Sequence, residues 1–176
     1  TIRMTADLVQ ILSKTVVEGA DGIVVTCRSD TLEEMAYLTD LYWAYPQPVI
    51  FTAASLPSDS RGSEASINLY QSVLASLSRE CWGMGVLVCL QDQIFAASEI
   101  TEDASQRKNS FSAPDRGPVA QFIGDRVDIL RQKRRAKVLE EKGSPARDVE
   151  LLYASLGAND KMVEFLASDE KRELDG

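Results

Sequence analysis

Three short runs of β-branched and aliphatic residues punctuate this chain: "GIVVT" at 22–26, "PVIFTAA" at 48–54 and "GVLVCL" at 85–90. Each has the length and composition of a strand buried on both faces, and the intervals between them carry helix-period patterns. "MTADLVQILSKTVVEG" sets Leu8, Ile11, Leu12 and Val16 at helical intervals, with Thr5 placed to cap the start. The stretch 31–44 puts Leu32, Met35, Ala36, Leu38 and Tyr42 on a broad apolar face, and 67–77 lines up Ile67, Tyr70, Val73, Leu74 and Leu77 along one stripe. Alternation of this kind predicts an α/β fold, a mostly parallel sheet flanked by helices on both faces. "QIFAAS" (93–98) reads as a fourth strand, returning antiparallel through a tight turn at Gln91 and Asp92.

Beyond that hairpin, "DASQRKNSFSAPDRGP" (103–118) is rich in Ser, Asn, Pro and charge and reads as a loop, and "VDIL" (127–130) as a short strand. "RQKRRAK" (131–137) is a charge run of the sort that forms a solvated linker or helix face, and the breaker "GSP" follows it. "DVELLYASLGANDKMVEFLAS" then begins a new strand-loop-helix unit. The expected organisation is a first domain over 1–130, a linker over 131–147, and the start of a second, smaller α/β domain over 148–176. One βα unit cannot bury its own apolar face, so that second domain is expected to continue past the residues present.

The chain carries 27 acidic and 19 basic residues, a formal charge of −8, which opposes approach to a phosphate backbone and argues against nucleic acid as a partner. No apolar run reaches the roughly 18–20 residues that span a bilayer, and no membrane role is expected. The first ten residues lack the layout of a signal peptide. Three cysteines without a CxxC pair suggest a reducing, cytoplasmic compartment. Histidine is absent, which removes Ser-His-Asp and Cys-His catalysis and the commonest zinc ligand. Neither a metal nor a cofactor is expected, and chemistry falls to hydroxyls, carboxylates, lysines and backbone groups.

The segment "TCRSDTLEE" (26–34) joins the first apolar run to the following helix pattern within a few residues. In open α/β sheets, ligands bind beyond the carboxyl ends of strands, often against a helix N-terminus, and Ser29 and Asp30 fall there. The competing reading is structural, because Thr31 and Glu34 make the T-x-x-E of a capping box.

The order of residues separates the two readings. "DGIVVTCRSDTLEEMAYLTDL" resembles the second signature of the L-asparaginase/glutaminase family, a strand, T-H-G-T-D-T-x-E-E and a helix. "QPVIFTAASLPSDS", "NLYQSV", "GVLVCLQDQIFAASEIT", "GP" at 117–118 and "LLYASLGAN" resemble later family segments in the same order. The resemblance implies a threonine-dependent amidohydrolase that converts L-asparagine and water to L-aspartate and ammonia. It further implies an asparaginase-like N-terminal domain without its first strand and loop, and assembly as a homo-oligomer. By the same likeness, the nucleophilic hydroxyl falls on Ser29, the carboxylate that holds the substrate's amino group on Asp30, and a substrate-binding hydroxyl on Thr1. The family's lysine falls on Glu102, a charge reversal, and its His-Gly before the elbow on Cys27 and Arg28. These departures imply an impaired or inactive site that binds L-asparagine or L-aspartate only where competent. The alternative is a non-catalytic binding or assembly subunit. Should Glu102 approach Asp30, two carboxylates would share one site, with Arg28 available to neutralise them.

Overall fold

A computed structural model describes residues 2–103, 110–133, 135, 137–139, 149 and 151–168. The chain divides into two compact units, Thr1–Glu141 and Lys142–Gly176. The first unit opens with α1 (Ile2–Val17), then β1 (Ile23–Thr26), α2 (Leu32–Tyr42), β2 (Val49–Thr52), α3 (Ala65–Leu77) and β3 (Val86–Leu90). β4 (Gln93–Ala96), β5 (Thr101–Glu102), β6 (Phe111–Ser112), β7 (Ala120–Ile123) and β8 (Arg126–Ile129) follow.

Six strands form one sheet in the order β1-β2-β3-β4-β7-β8. The first three are parallel, with Val24 beside Ile50 and Ile50 beside Leu87, and the remaining pairs are antiparallel. Side chains alternate across the sheet, as the strand period of two requires. Val49, Phe51, Val86, Val88 and Leu90 face a core built with Leu12, Val16, Leu32 and Ala36 of α1 and α2. Ile50, Leu87 and Cys89 face the opposite side, where they pack with Ala75, Ile94 and Val127. The fold is therefore α/β with helices flanking the sheet, as the alternation of runs predicts; the sheet is mixed, parallel over β1-β2-β3 and antiparallel beyond.

The β3–β4 hairpin turns at Gln91 and Asp92, which adopt φ of 52° and 64°. Two consecutive left-handed residues suit the twist of a two-residue hairpin, but neither is glycine, so the conformation needs outside support.

Several local expectations are corrected. α1 already includes Ile2, so Thr5 lies inside the helix, buried, rather than at its start. β7 was not legible as a strand, and two residues each of β5 and β6 form a small ribbon within the expected loop; residues 104–109 lie outside the described set. In the second unit, α4 (Lys161–Ser168) is present, whereas residues 151–155 form no strand, and no strand to pair with them occurs among the described residues of that unit.

The largest departure concerns α3. Its apolar stripe faces outward, with Ile67, Tyr70, Val73 and Leu77 exposed and Leu74 half-buried. Asn68, Gln71, Ser72 and Ser76 are the side chains turned to the sheet and buried. Two serines bond within the helix, Ser72 Oγ donating to the Asn68 carbonyl at 2.7 Å and Ser76 Oγ to the Val73 carbonyl at 2.8 Å. This narrow face allows a close approach: a Cβ added at Gly22, just before β1, would lie 2.0 Å from the Ser76 carbonyl oxygen. Large apolar side chains on this face would hold α3 away from the strands.

The charge run after β8 is a second correction. Lys133 is buried against Asp40 of α2, Nζ to Oδ2 at 2.6 Å, with side chains only 3% and 13% exposed. Asp40 Oδ1 also accepts the Val86 amide at 2.8 Å. Arg135 donates to the Trp43 carbonyl, and the Leu139 amide to the Leu41 carbonyl at 2.8 Å. Lys133, Arg135 and Leu139 are thus each bonded to α2 or the residue that ends it. Gly85, at φ 81°, makes room for this arrangement, since a Cβ there would meet Asp40 Oδ1 at 2.4 Å.

Candidate functional site

β1 delivers the chain to the carboxyl end of the sheet, where the Cys27 amide extends the ladder by donating to the Thr52 carbonyl at 3.1 Å. Arg28 remains extended, Ser29–Thr31 form one 3-10 turn, and α2 starts at Leu32. Thr31 occupies the N-cap position but makes no side-chain capping bond; its Oγ1 reaches the Arg28 carbonyl at 3.5 Å. The capping box is therefore not what organises the elbow. Glu33, in the first turn of α2, instead accepts the Glu102 amide at 2.9 Å and ties β5 to the elbow.

Ser29 lines an open pocket of about 350 Å³. The loop after β2 contributes Ala53, Ala54 and Ser55, and the β3–β4 hairpin contributes Leu90, Gln91, Gln93 and Phe95. Glu64 and Asn68, from the start of α3, and Phe111 of β6 complete the lining. The wall thus combines two hydroxyls, three carboxamides and one carboxylate with two aromatic rings, with no lysine or arginine among the described residues. Such a lining suits a small polar ligand able to donate and accept hydrogen bonds.

Buried amides of α3 hold this wall. Asn68 Nδ2 donates to the Ala53 carbonyl at 2.9 Å, and Asn68 Oδ1 accepts the Gln91 amide at 3.0 Å. Gln71 Oε1 accepts the Asp92 amide at 3.2 Å, while its Nε2 donates to the Asp92 carboxylate. α3 therefore supplies the support that the left-handed turn requires and joins the β2 loop to the hairpin. Glu64 Oε1 accepts the Ser55 amide at 2.5 Å.

The residues singled out from the sequence occupy different places. Ser29 faces the pocket. Asp30 is not among the lining residues and pairs with Arg28, Nη2 to Oδ2 at 2.7 Å and Nε to Oδ1 at 3.1 Å, with side chains 84% and 54% exposed. The hydrogen bond from Arg28 holds the Asp30 carboxyl below the usual carboxylate range. So exposed a pair adds little stability; its effect is to place a guanidinium on the Asp30 carboxylate. Glu102 lies in β5, outside the pocket lining, and Thr1 lies outside the described residues. Glu64, Asn68, Gln91, Gln93, Phe95 and Phe111 were not singled out as site residues. The one available signal was an asparagine and a glutamine inside an otherwise apolar and small-residue helix pattern.

Cys27 is half-buried, its thiol directed at the Thr52 carbonyl 4.0 Å away. Burial, and then the Asp30 charge, push this thiol from 9.0 to about 11. Only the thiolate is nucleophilic, so alkylation by iodoacetamide at pH 8 is expected to be about 100-fold slower in the folded protein than in urea. Peptide mapping of the modified cysteine measures this, and equal rates would contradict it. Among the described residues, no group of three or more His, Cys, Asp or Glu could hold a metal ion, and no helix is long and apolar enough to cross a membrane.

Comparison with known proteins places this geometry in a family. The family described as "Asparaginase, N-terminal" matches residues 1–135. The chain is 29% identical over 114 residues to a probable periplasmic L-asparaginase of Haemophilus influenzae, covering 65% of this chain and 33% of that protein. It is 28% identical over 157 residues to a glutaminase-asparaginase of Pseudomonas fluorescens, covering 85% and 42%. Among solved structures, a probable cytoplasmic L-asparaginase from Campylobacter jejuni superposes with a TM-score of 0.82 at 26% identity, over 90% of this chain and 50% of that one. The chain thus spans about a third to a half of the length of these relatives. With the family match over most of the chain, and with the same fold in a solved relative, this protein belongs to the asparaginase family through its N-terminal domain.

Proposed function

We propose that the chain is an asparaginase-type amidohydrolase domain whose pocket binds L-asparagine or L-aspartate and whose turnover of L-asparagine to L-aspartate and ammonia is impaired. The observation that carries this reading is the position of Ser29, a hydroxyl at a strand end inside a pocket walled by carboxamides and hydroxyls. In this reading Ser29 is the nucleophile, and donors of the Asn68, Gln91 and Gln93 wall hold the substrate's polar groups. Thr1 is a further substrate-binding hydroxyl. Acyl transfer also needs a group to take the nucleophile's proton. The chain has no histidine, no lysine lines the pocket among the described residues, Glu102 stands at the family's lysine position, and Arg28 occupies the carboxylate of Asp30. All three features weigh against efficient turnover.

The Arg28–Asp30 pair also favours a second reading, a non-catalytic binding or assembly subunit, because the carboxylate already holds a cation. A cytoplasmic location and a homo-oligomeric state belong to both readings. The deciding experiment measures ammonia release from L-asparagine by the protein, by Ser29→Ala and by Glu102→Lys. The first reading expects slow release that Ser29→Ala abolishes and Glu102→Lys raises. Release from none of the three proteins supports the second and overturns the first.

A further inference from the structure

Among the described lining residues of the pocket, Glu64 carries the one formal charge, and the hydroxyls of Ser29 and Ser55 and the carboxamides of Asn68, Gln91 and Gln93 are neutral. Glu64 is half-buried at the N-cap of α3, and its Oε1 accepts the Ser55 amide at 2.5 Å, which fixes the carboxylate in the wall. A helix N-terminus amounts to roughly half a positive charge and by itself would draw an anion. Ser63 Oγ already accepts the Ala65 amide there at 3.2 Å, and Glu64 brings a full negative charge to the same place. The sum at this end of the pocket is negative.

We propose that Glu64 is the specificity-determining charge of this pocket: it sorts ligands by net charge, favouring an ammonium group and disfavouring each added carboxylate. The charges around the pocket act in the same direction. Arg28, the cation of the elbow, is paired with Asp30 at 2.7 Å, so the two contribute no net charge and Asp30 is kept from this role. Asp92 lies in the hairpin next to Gln91, and Glu33 and Glu102 meet where β5 is tied to the start of α2. Arg61, in the loop that enters α3, is exposed and outside the lining. A cleft lined by one sign of charge concentrates ligands of the other sign.

The inference rests on the reading of this pocket as a site for L-asparagine, and it adds a direction to that reading. L-Asparagine is a zwitterion, whereas L-aspartate carries one more negative charge. The amide is therefore expected to bind more tightly than the acid, and a ligand that keeps the amide and the ammonium but lacks the carboxylate more tightly still. Each step in net charge should change affinity by about tenfold, the effect of a partly screened unit charge a few ångströms away.

NMR titration followed on the side-chain amides of Asn68, Gln91 and Gln93 tests this with four small probes. The expected order of affinity is the glycinamide cation, then L-asparagine, then the anions succinamate and L-aspartate. Glu64→Gln separates charge from structure, because its carboxamide keeps an oxygen that can accept the Ser55 amide, and it is expected to level the four affinities. Raising salt from about 20 mM to about 500 mM should compress the order in the wild type, a test that needs no variant. Equal or inverted affinities in the wild type overturn the inference, as does an order that salt leaves unchanged. So do a Glu64→Gln protein of unchanged thermal midpoint that keeps the order, and the absence of any response to the four probes. Ammonia release from L-asparagine is read in parallel. The charge order without release supports the inference and fails the amidohydrolase reading alone, whereas release with level affinities fails the inference alone.

Discussion

Replacing Lys133 with alanine is expected to lower the stability of the first unit by about 3–5 kcal/mol, although the residue lies in a charge run that reads from sequence as solvated. The Lys133 side chain is 3% exposed and bonds Asp40 Oδ2 at 2.6 Å, while Asp40 itself is 13% exposed. Removing the cation leaves the carboxylate buried, with the Val86 amide still donating to it. Such one-sided deletion costs more than the pair contributes, since the desolvation penalty persists and the attraction does not. It also weakens the hold of the neighbouring Arg135 and Leu139 on the end of α2. At about 2–4 °C per kcal/mol for a chain of this size, the midpoint of thermal unfolding should fall by roughly 10 °C. Lys133→Ala combined with Asp40→Asn should recover much of the loss, because the amide oxygen can still accept from Val86 and no charge is stranded. A loss below about 1 kcal/mol for the single variant would assign the pair to the class of surface ion pairs.

Asn68→Ala is expected to cost about 2–4 kcal/mol and to loosen the pocket wall at the same time. Asn68 is 1% exposed and bridges the segments that follow the neighbouring strands β2 and β3, accepting the Gln91 amide and donating to the Ala53 carbonyl. Truncation removes both bonds, leaves a buried amide and a buried carbonyl without these partners, and opens a small void. Gln91 and Asp92 depend on this support because both hold positive φ with ordinary side chains. Hydrogen exchange should therefore accelerate at the Gln91 amide well beyond the global loss of stability, and urea titration supplies that global value. A Gln91 amide still protected to the global limit would remove Asn68 from the role of turn support.

The contrast between these two residues shows which features were legible along the chain. Lys133 and Asp40 are 93 residues apart, and no local pattern joins them. Asn68 stands on the face of α3 opposite the apolar stripe and would ordinarily be assigned to water; its burial follows from the carbonyl and the amide it must reach. The Arg28–Asp30 pair was accessible, because two residues of separation in an extended elbow bring the two charges within reach. β7 escaped notice because "AQFI" is short and mixed, and its strand state depends on β4 and β8 on either side.

The sequence by itself determined the family, the elbow at 26–34, the parallel β1-β2-β3 core and the hairpin at Gln91. These rest on local information, a period of two or of 3.6 and a short loop. Tertiary structure decided the orientation of α3, the burial of Lys133, and the separation of Ser29, which enters the pocket, from Asp30, which does not. The physical reason is common to all three. Periodicity states which side chains share a face, but the face that turns inward is chosen by partners far along the chain, through close approach at Gly22 and the hydrogen bonds that buried polar groups require.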